Sequence, residues 1–199
     1  MVPAPGSAEP LAIRLQTLLD EGASPEALAL ATAAGFAILD EDCSQLALAA
    51  AEQSGRFDAF VEVAEARIPR ARDAAEVRRL ALAAGRVARD TRRDDSRAAG
   101  LLYDAHRSDP EDVDVRFELT AVYARIPRLA AHALTGILQP LRRVPDDARI
   151  FALAAHLAEQ QGTPDRAAAM RSVSALLRAQ PLPAEEATPR GADERADAA

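Results

Sequence analysis

The stretch Leu80–Pro110, LALAAGRVARDTRRDDSRAAGLLYDAHRSDP, decides the fold. Both halves carry apolar and small residues at helical spacing, and the polar run Thr91–Ser96 between them is short. A connection that short folds the second helix back antiparallel on the first. Pro110 closes the stretch, and Pro145 and Pro181 close two later stretches of the same kind, at intervals of 35 and 36 residues. A fixed period of that size predicts an all-α, right-handed α-solenoid of stacked antiparallel helix pairs. In such a fold each pair hides its apolar face only against its neighbours.

Composition supports a helical chain. Of 199 residues, 49% are hydrophobic and 4% aromatic, and the formal charge is −7. Every basic residue is arginine, because lysine is absent, as are asparagine and tryptophan. Alanine, the strongest helix former, makes up about a quarter of the chain. Without lysine there is no GxxxxGK[ST] phosphate loop, no Schiff-base lysine and no kinase-type lysine. The lone Cys43 excludes an intramolecular disulfide and disfavours a thiolate metal cluster. The start MVPAPGSAEP lacks a basic region followed by an apolar one, and no run is long enough to span a bilayer, so the expected setting is the cytoplasm.

Start and stop signals divide the chain into about ten helices, near 8–20, 25–38, 45–54, 57–68, 74–90, 96–107, 111–125, 129–139, 147–160 and 164–179. Ser24-Pro25-Glu26, Thr163-Pro164-Asp165 and Asp109-Pro110-Glu111 each offer a cap, a first-turn proline and an acid. Asp73 and Glu76 have capping-box spacing. Gly22, Gly55 and Gly162 stand where left-handed C-cap residues are wanted. The expected organisation is a flexible start at 1–7, a helical repeat domain over 8–180 and a proline- and charge-rich disordered tail over 181–199. The pentapeptide Ala66–Arg70 recurs at Ala124–Arg128, but 58 residues apart, which fits no period. It is read as shared composition, with Pro69 and Pro127 acting as helix stops.

Ala98, Leu102, Ala105 and Pro110 follow a small, large, small, proline order, and Leu82 and Gly85 precede them in the first helix. Phe117, Ala133, Ile137 and Pro145 repeat the order, as do Leu153, Ala169, Val173 and Pro181. In these positions the chain resembles the tetratricopeptide repeat family, whose unit of about 34 residues is a helical hairpin. It also resembles bacterial proteins that carry long arrays of degenerate repeats. The resemblance implies that the first helix of each unit lines a concave, peptide-binding groove.

Arg72, Arg79, Arg86 and Arg93 recur every seven residues with Arg89 beside them, opposite Val77, Leu80, Ala84 and Val87. By the resemblance, Arg79, Arg86 and Arg89, extended by Arg116 and Arg125, would meet an acidic peptide. The competing reading is a solvated face neutralised by Glu76, Asp90, Asp94 and Asp95. The lysine- and asparagine-based carboxylate clamp of some repeat domains has no counterpart here. His156 and Glu159 share a helix face but lack the further ligands that a helical carboxylate-bridged metal site needs. Cys43 stands near a helix start, where a thiolate gains stability, yet it has no histidine near it in sequence.

The expectation is therefore a non-enzymatic scaffold without cofactor or metal. It would bind another protein or peptide along its concave face, and neither nucleic acid nor a membrane. The alternatives are a structural segment of a longer array without a specific ligand and, more distantly, a helical metalloenzyme.

Overall fold

The computed structural model describes residues 9–179. Among these residues it is all-α: α1 (Leu11–Asp20), α2 (Ser24–Ala34), α3 (Glu41–Gln53), α4 (Phe57–Arg67), α5 (Ala74–Asp90), α6 (Asp95–Ser108), α7 (Val113–Tyr123), α8 (Ala130–Arg143), α9 (Ala148–Gln160) and α10 (Pro164–Ala179). No strand occurs among the described residues. The loose start at 1–7 and the proline-rich tail at 181–199 expected from sequence lie outside them. The chain divides into two compact units, Met1–Val144 and Pro145–Ala199.

In the first unit, consecutive helices pack as neighbours from α1 to α8, in hairpins α1/α2, α3/α4, α5/α6 and α7/α8. The most extensive of these contacts is α5/α6, where Gly85 makes the approach possible. A Cβ there would lie 2.9 Å from Leu102 Cγ. Leu102 is fully buried, as are Ala98 and Ala105 on the same helix. Burying a leucine side chain contributes about 1.5–3 kcal/mol. Ala105 meets Ala81 of α5 and Val115 of α7, so one small residue serves two contacts. In the second unit α9 packs on α10, and the Ser174 hydroxyl donates to Ala148 O at 2.8 Å.

The glycine stops hold: Gly22, Gly55 and Gly162 have φ of 74°, 66° and 69°, the left-handed region that disfavours a Cβ. Asp73 caps α5 by accepting from Glu76 N at 2.8 Å. The three proline-marked starts work differently from the expectation. Ser24 is already helical, and its hydroxyl donates to Gln53 Oε1 at 2.7 Å, joining α2 to α3. Thr163 donates back to Ala158 O at 2.9 Å. Asp109 yields its capping role to Asp112, which accepts from Val115 N at 3.0 Å. Polar side chains with a carbonyl or an amide side chain in reach satisfy that partner first.

Three boundaries also move. α2 stops at Ala34, because Gly35 turns to φ 90° and Phe36–Ile38 forms a separate 3₁₀ turn. α3 starts at Glu41 under an Asp40 cap, ahead of the expected 45. α8 runs through Pro140 to Arg143, although proline costs about 3 kcal/mol in a helix interior. Pro140 is fully buried, so apolar packing of the ring offsets the lost hydrogen bond. The last copy of the repeat slips as well. Ala169 is exposed, and the buried small residues of α10 are Ala167 and Ser174. Their counterparts are Ala98 and Ala105 in α6, and Ala133 and Pro140 in α8. That register steps by 35 and then 34 residues; Pro181 lies outside the described residues.

Both copies of the recurring pentapeptide end a helix in a 3₁₀ turn, Ile68–Arg70 and Pro127–Leu129. One closes α4 and the other α7, so they are not equivalent positions of the repeat.

Candidate functional site

Arginine has two fates in the first unit. Arg67 is 7% exposed and its partner Glu76 is 9% exposed. Arg67 Nε donates to Glu76 Oε1 at 2.9 Å and Nη1 to Arg70 O at 2.9 Å, while Arg72 N donates to Glu76 Oε2 at 2.8 Å. Burial pushes the Glu76 carboxyl up. The Arg72 amide and the Arg67 and Arg72 guanidinium groups more than reverse this, holding it below the ordinary glutamate value. Arg70 reaches across to the Leu39 carbonyl at 2.8 Å and the Phe36 carbonyl at 3.1 Å.

Further arginines bridge from one hairpin to the next at separations close to the repeat length. Arg97 pairs with Glu65 at 2.6 Å, Arg92 with Asp58 at 2.6 Å, Arg78 with Asp112, Arg125 with Asp95 and Arg143 with Glu111. Arg86 and Arg89 of α5 converge on Glu118 of α7, Arg89 at 3.0 Å, and Arg89 also holds Asp90. The stripe predicted for an acidic peptide is thus largely engaged within the protein. Among the described residues Arg79 is exposed and has no ion pair. Arg116 is separated from the others. Positions 116, 119, 120 and 123 share one face of α7 at 100° per residue, and Glu118 lies on the other.

Arg116 opens instead into a groove of about 400 Å³ between α6 and α8, with α7 as its floor. Tyr103 and His106 come from α6, Arg116 and Tyr123 from α7, and His132 and Gly136 from α8. Both tyrosines of the chain and two of its three histidines meet here. Tyr103 is 50% exposed. Tyr123 and His132 stand edge to face, with centroids 6.2 Å apart and planes at 70°. The floor is set by close helix approach, since a Cβ on Gly136 would fall 2.6 Å from Thr120 Oγ1. Pro140, four residues on, has no N–H to give the Gly136 carbonyl, which therefore lacks its regular helical donor. Burial, and then the Arg116 charge, lower the His106 pKa, partly opposed by Asp109. His106 Nδ1 is buried without a hydrogen-bond partner.

Sequence reasoning missed this groove, although its spacing was readable. Tyr103/His106 and His132/Thr135 are i, i+3 pairs on successive second helices, and Arg116, Thr120 and Tyr123 follow i, i+4, i+7 between them.

The remaining candidates are accounted for locally. His156 Nε2 pairs with Gln160 Nε2 at 3.0 Å, and Glu159 is bridged by Arg171. Among the described residues no group of three His, Cys, Asp or Glu side chains could hold a metal ion. The Cys43 thiol is buried and its pKa is pushed up to about 11, first by burial and then by Asp40, so the helix start yields no thiolate at neutral pH. No described helix is long and apolar enough to cross a membrane.

No family model matches the sequence, and no curated protein matches it. Solved structures do match the fold. YrrB, described as a TPR protein with an unusual peptide-binding site, superposes with a TM-score of 0.62 at 15% identity, over 86% of this chain and 87% of its own. This is a tetratricopeptide-repeat fold. MamA MSR-1 aligns with a TM-score of 0.59 at 18% identity, covering 84% of this chain and 94% of that one. MamA AMB-1 gives 0.60 at 19%, covering 84% and 96%. In tetratricopeptide terms α1, α3, α5 and α7 are first helices, and α2, α4, α6 and α8 are second helices. The groove at Arg116 therefore lies between second helices, away from the face expected to bind. Two further grooves, of about 480 and 500 Å³, also lie between second helices: one between α2 and α4 at Thr32 and Glu62, the other between α4 and α6 at Glu65 and Gly100.

Proposed function

We propose that this chain is a protein-interaction scaffold that holds a segment of a partner protein in the groove of α6, α7 and α8. One observation carries the reading. A chain without tryptophan and with only two tyrosines brings both of them to one concave surface, beside two histidines and an arginine. Tyrosine and arginine supply most of the anchoring energy at protein interfaces, where rigid amphipathic side chains pack at small entropic cost. The peptide-binding site of YrrB on a similar fold supports the assignment in kind.

The five arginines enter this reading unequally. Arg116 meets the partner. Arg86, Arg89 and Arg125 hold successive hairpins together, and Arg79 contributes general positive potential. The partner lies between the second helices α6 and α8 on the Arg116 face of α7, and the Glu118 face of α7 serves the stacking of units.

Selection of random dodecamer peptides on the immobilised full-length chain tests this. Recovered peptides are expected to lose affinity about tenfold or more on Tyr103→Ala, since truncating an aromatic anchor costs about 2 kcal/mol. Recovering no peptide, or only peptides indifferent to Tyr103→Ala and His132→Ala, contradicts the assignment.

A further inference from the structure

Resting on that reading of the groove, we infer that its occupant presents an internal Asp or Glu side chain to Arg116, beside an apolar or aromatic residue seated against Tyr103 and Tyr123.

The first support is charge. The chain carries a formal charge of −7, yet the walls of this groove contain Arg116, His106 and His132 and no carboxylate. A carboxylate-free concavity on an acidic protein selects an anionic ligand against the protein's own average potential.

The second is the state of Arg116. Arg78, Arg86, Arg89, Arg97 and Arg125 each hold a carboxylate contributed by another helix or its cap, and Arg143 holds Glu111 of the turn between α6 and α7. Arg116 has no ion pair among the described residues, although it is half-buried on a helix with paired neighbours. A guanidinium so placed offers two parallel donors to one carboxylate, with less screening than a fully exposed pair. The ligand fills the position that Glu118 fills for Arg86 and Arg89. One arginine amid aromatic walls suits a single carboxylate better than a polyanion, which needs several phosphate contacts.

The third is the backbone. Gly136 lines the groove, and its carbonyl lacks the donor that Pro140 cannot supply, so a main-chain N–H of the bound segment would complement it. Donor at Arg116 and acceptor at Gly136 together fix direction and register. The carboxylate belongs to a side chain within the segment, because Tyr103 also lines the adjoining groove between α4 and α6. A segment leaving one groove meets the next, so the chain runs through and does not end at Arg116.

The test uses the full chain and the dodecamers selected above. Enriched peptides should share an Asp or Glu next to an apolar or aromatic residue. Replacing that acid by its amide should weaken binding about tenfold, as should Arg116→Gln, and the two losses should not add. Arg116→Lys should recover part of the affinity, and amidating the peptide C-terminus should change nothing. Circular dichroism melts of Arg116→Gln should match the parent, which separates lost binding from lost folding. Neutral peptides that bind Arg116→Gln normally but fail with Tyr103→Ala would overturn the acidic specificity and leave the groove as docking site. Indifference to both variants would overturn both. A requirement for a free C-terminus or a phosphorylated residue would overturn the internal carboxylate. Self-association of the chain abolished by Arg116→Gln would assign the groove to a second copy instead.

Discussion

The two sides of α7 use arginine in opposite ways. Toward α5, Glu118 draws in Arg86 and Arg89 and ties one hairpin to the next. Toward α6 and α8, Arg116 faces a cavity without any carboxylate. Helix propensity, side-chain length and charge are the same in both places, so the difference lies in what the neighbouring unit supplies. In a helical-hairpin stack, a cation matched by an acid one repeat away belongs to the architecture. A half-buried cation left unmatched marks a surface kept for something else.

The largest effect expected from breaking this contrast is at the buried joint. Glu76→Leu removes the nearer carboxylate of the buried Arg67 guanidinium and leaves it Glu41 at 3.7 Å, so it should cost about 3 kcal/mol in urea unfolding. The pH dependence has a defined sign. The folded-state pKa of Glu76 lies below its unfolded value of 4.5, so its contribution is complete above that value and fades as pH falls through the depressed one. An unchanged midpoint for Glu76→Leu would remove the joint from the account. Next comes apolar packing: Ala98→Leu overfills a fully buried contact and should cost about 1–3 kcal/mol. A melting curve like the parent's would show that α5 and α6 are less closely packed than described.

Smaller effects separate the two sides of α7. Glu118→Gln should cost about 0.5–1 kcal/mol, less as salt rises, because Arg86 is half exposed and solvent screens the pair. A salt-independent loss would indicate packing and not charge. Arg116→Gln should leave stability within about 0.5 kcal/mol, as expected for a residue with no intramolecular partner. It should still raise the His106 pKa measured by NMR titration, since burial remains but the Arg116 charge is gone. The sign follows from a folded pKa below the ordinary 6.5. Neutral His106 is favoured in the fold, and protonation destabilises it as pH falls through and below 6.5. A His106 titration unmoved by Arg116→Gln would place the two side chains too far apart to share a ligand.

Much of the fold was legible because helical hairpins are written in local grammar. Apolar periodicity, the small residues Ala98 and Ala105, and the left-handed glycines act within a few residues of themselves. What failed to show depends on tertiary partners. Pro140 reads as a stop, and only burial of its ring lets α8 continue. Ser24 and Thr163 read as caps, and only coordinates reveal the Gln53 side chain and the Ala158 carbonyl that claim their hydroxyls. Pro181 drew the last repeat two residues out of register, where Ala167 and Ser174 show the correct one. For the site, periodicity found a real arginine stripe but could not see Glu118 one repeat away. Arg116 looked like one more member of that stripe until the opposite face of α7 set it apart.

The most direct test is a pair of binding isotherms for one selected acidic dodecamer, measured on Arg116→Gln and on Arg86→Gln beside the parent chain. Loss of about tenfold in affinity for Arg116→Gln, with Arg86→Gln near the parent, is the predicted result. The reverse pattern would return the ligand to the first-helix face and contradict the division of labour between the two sides of α7.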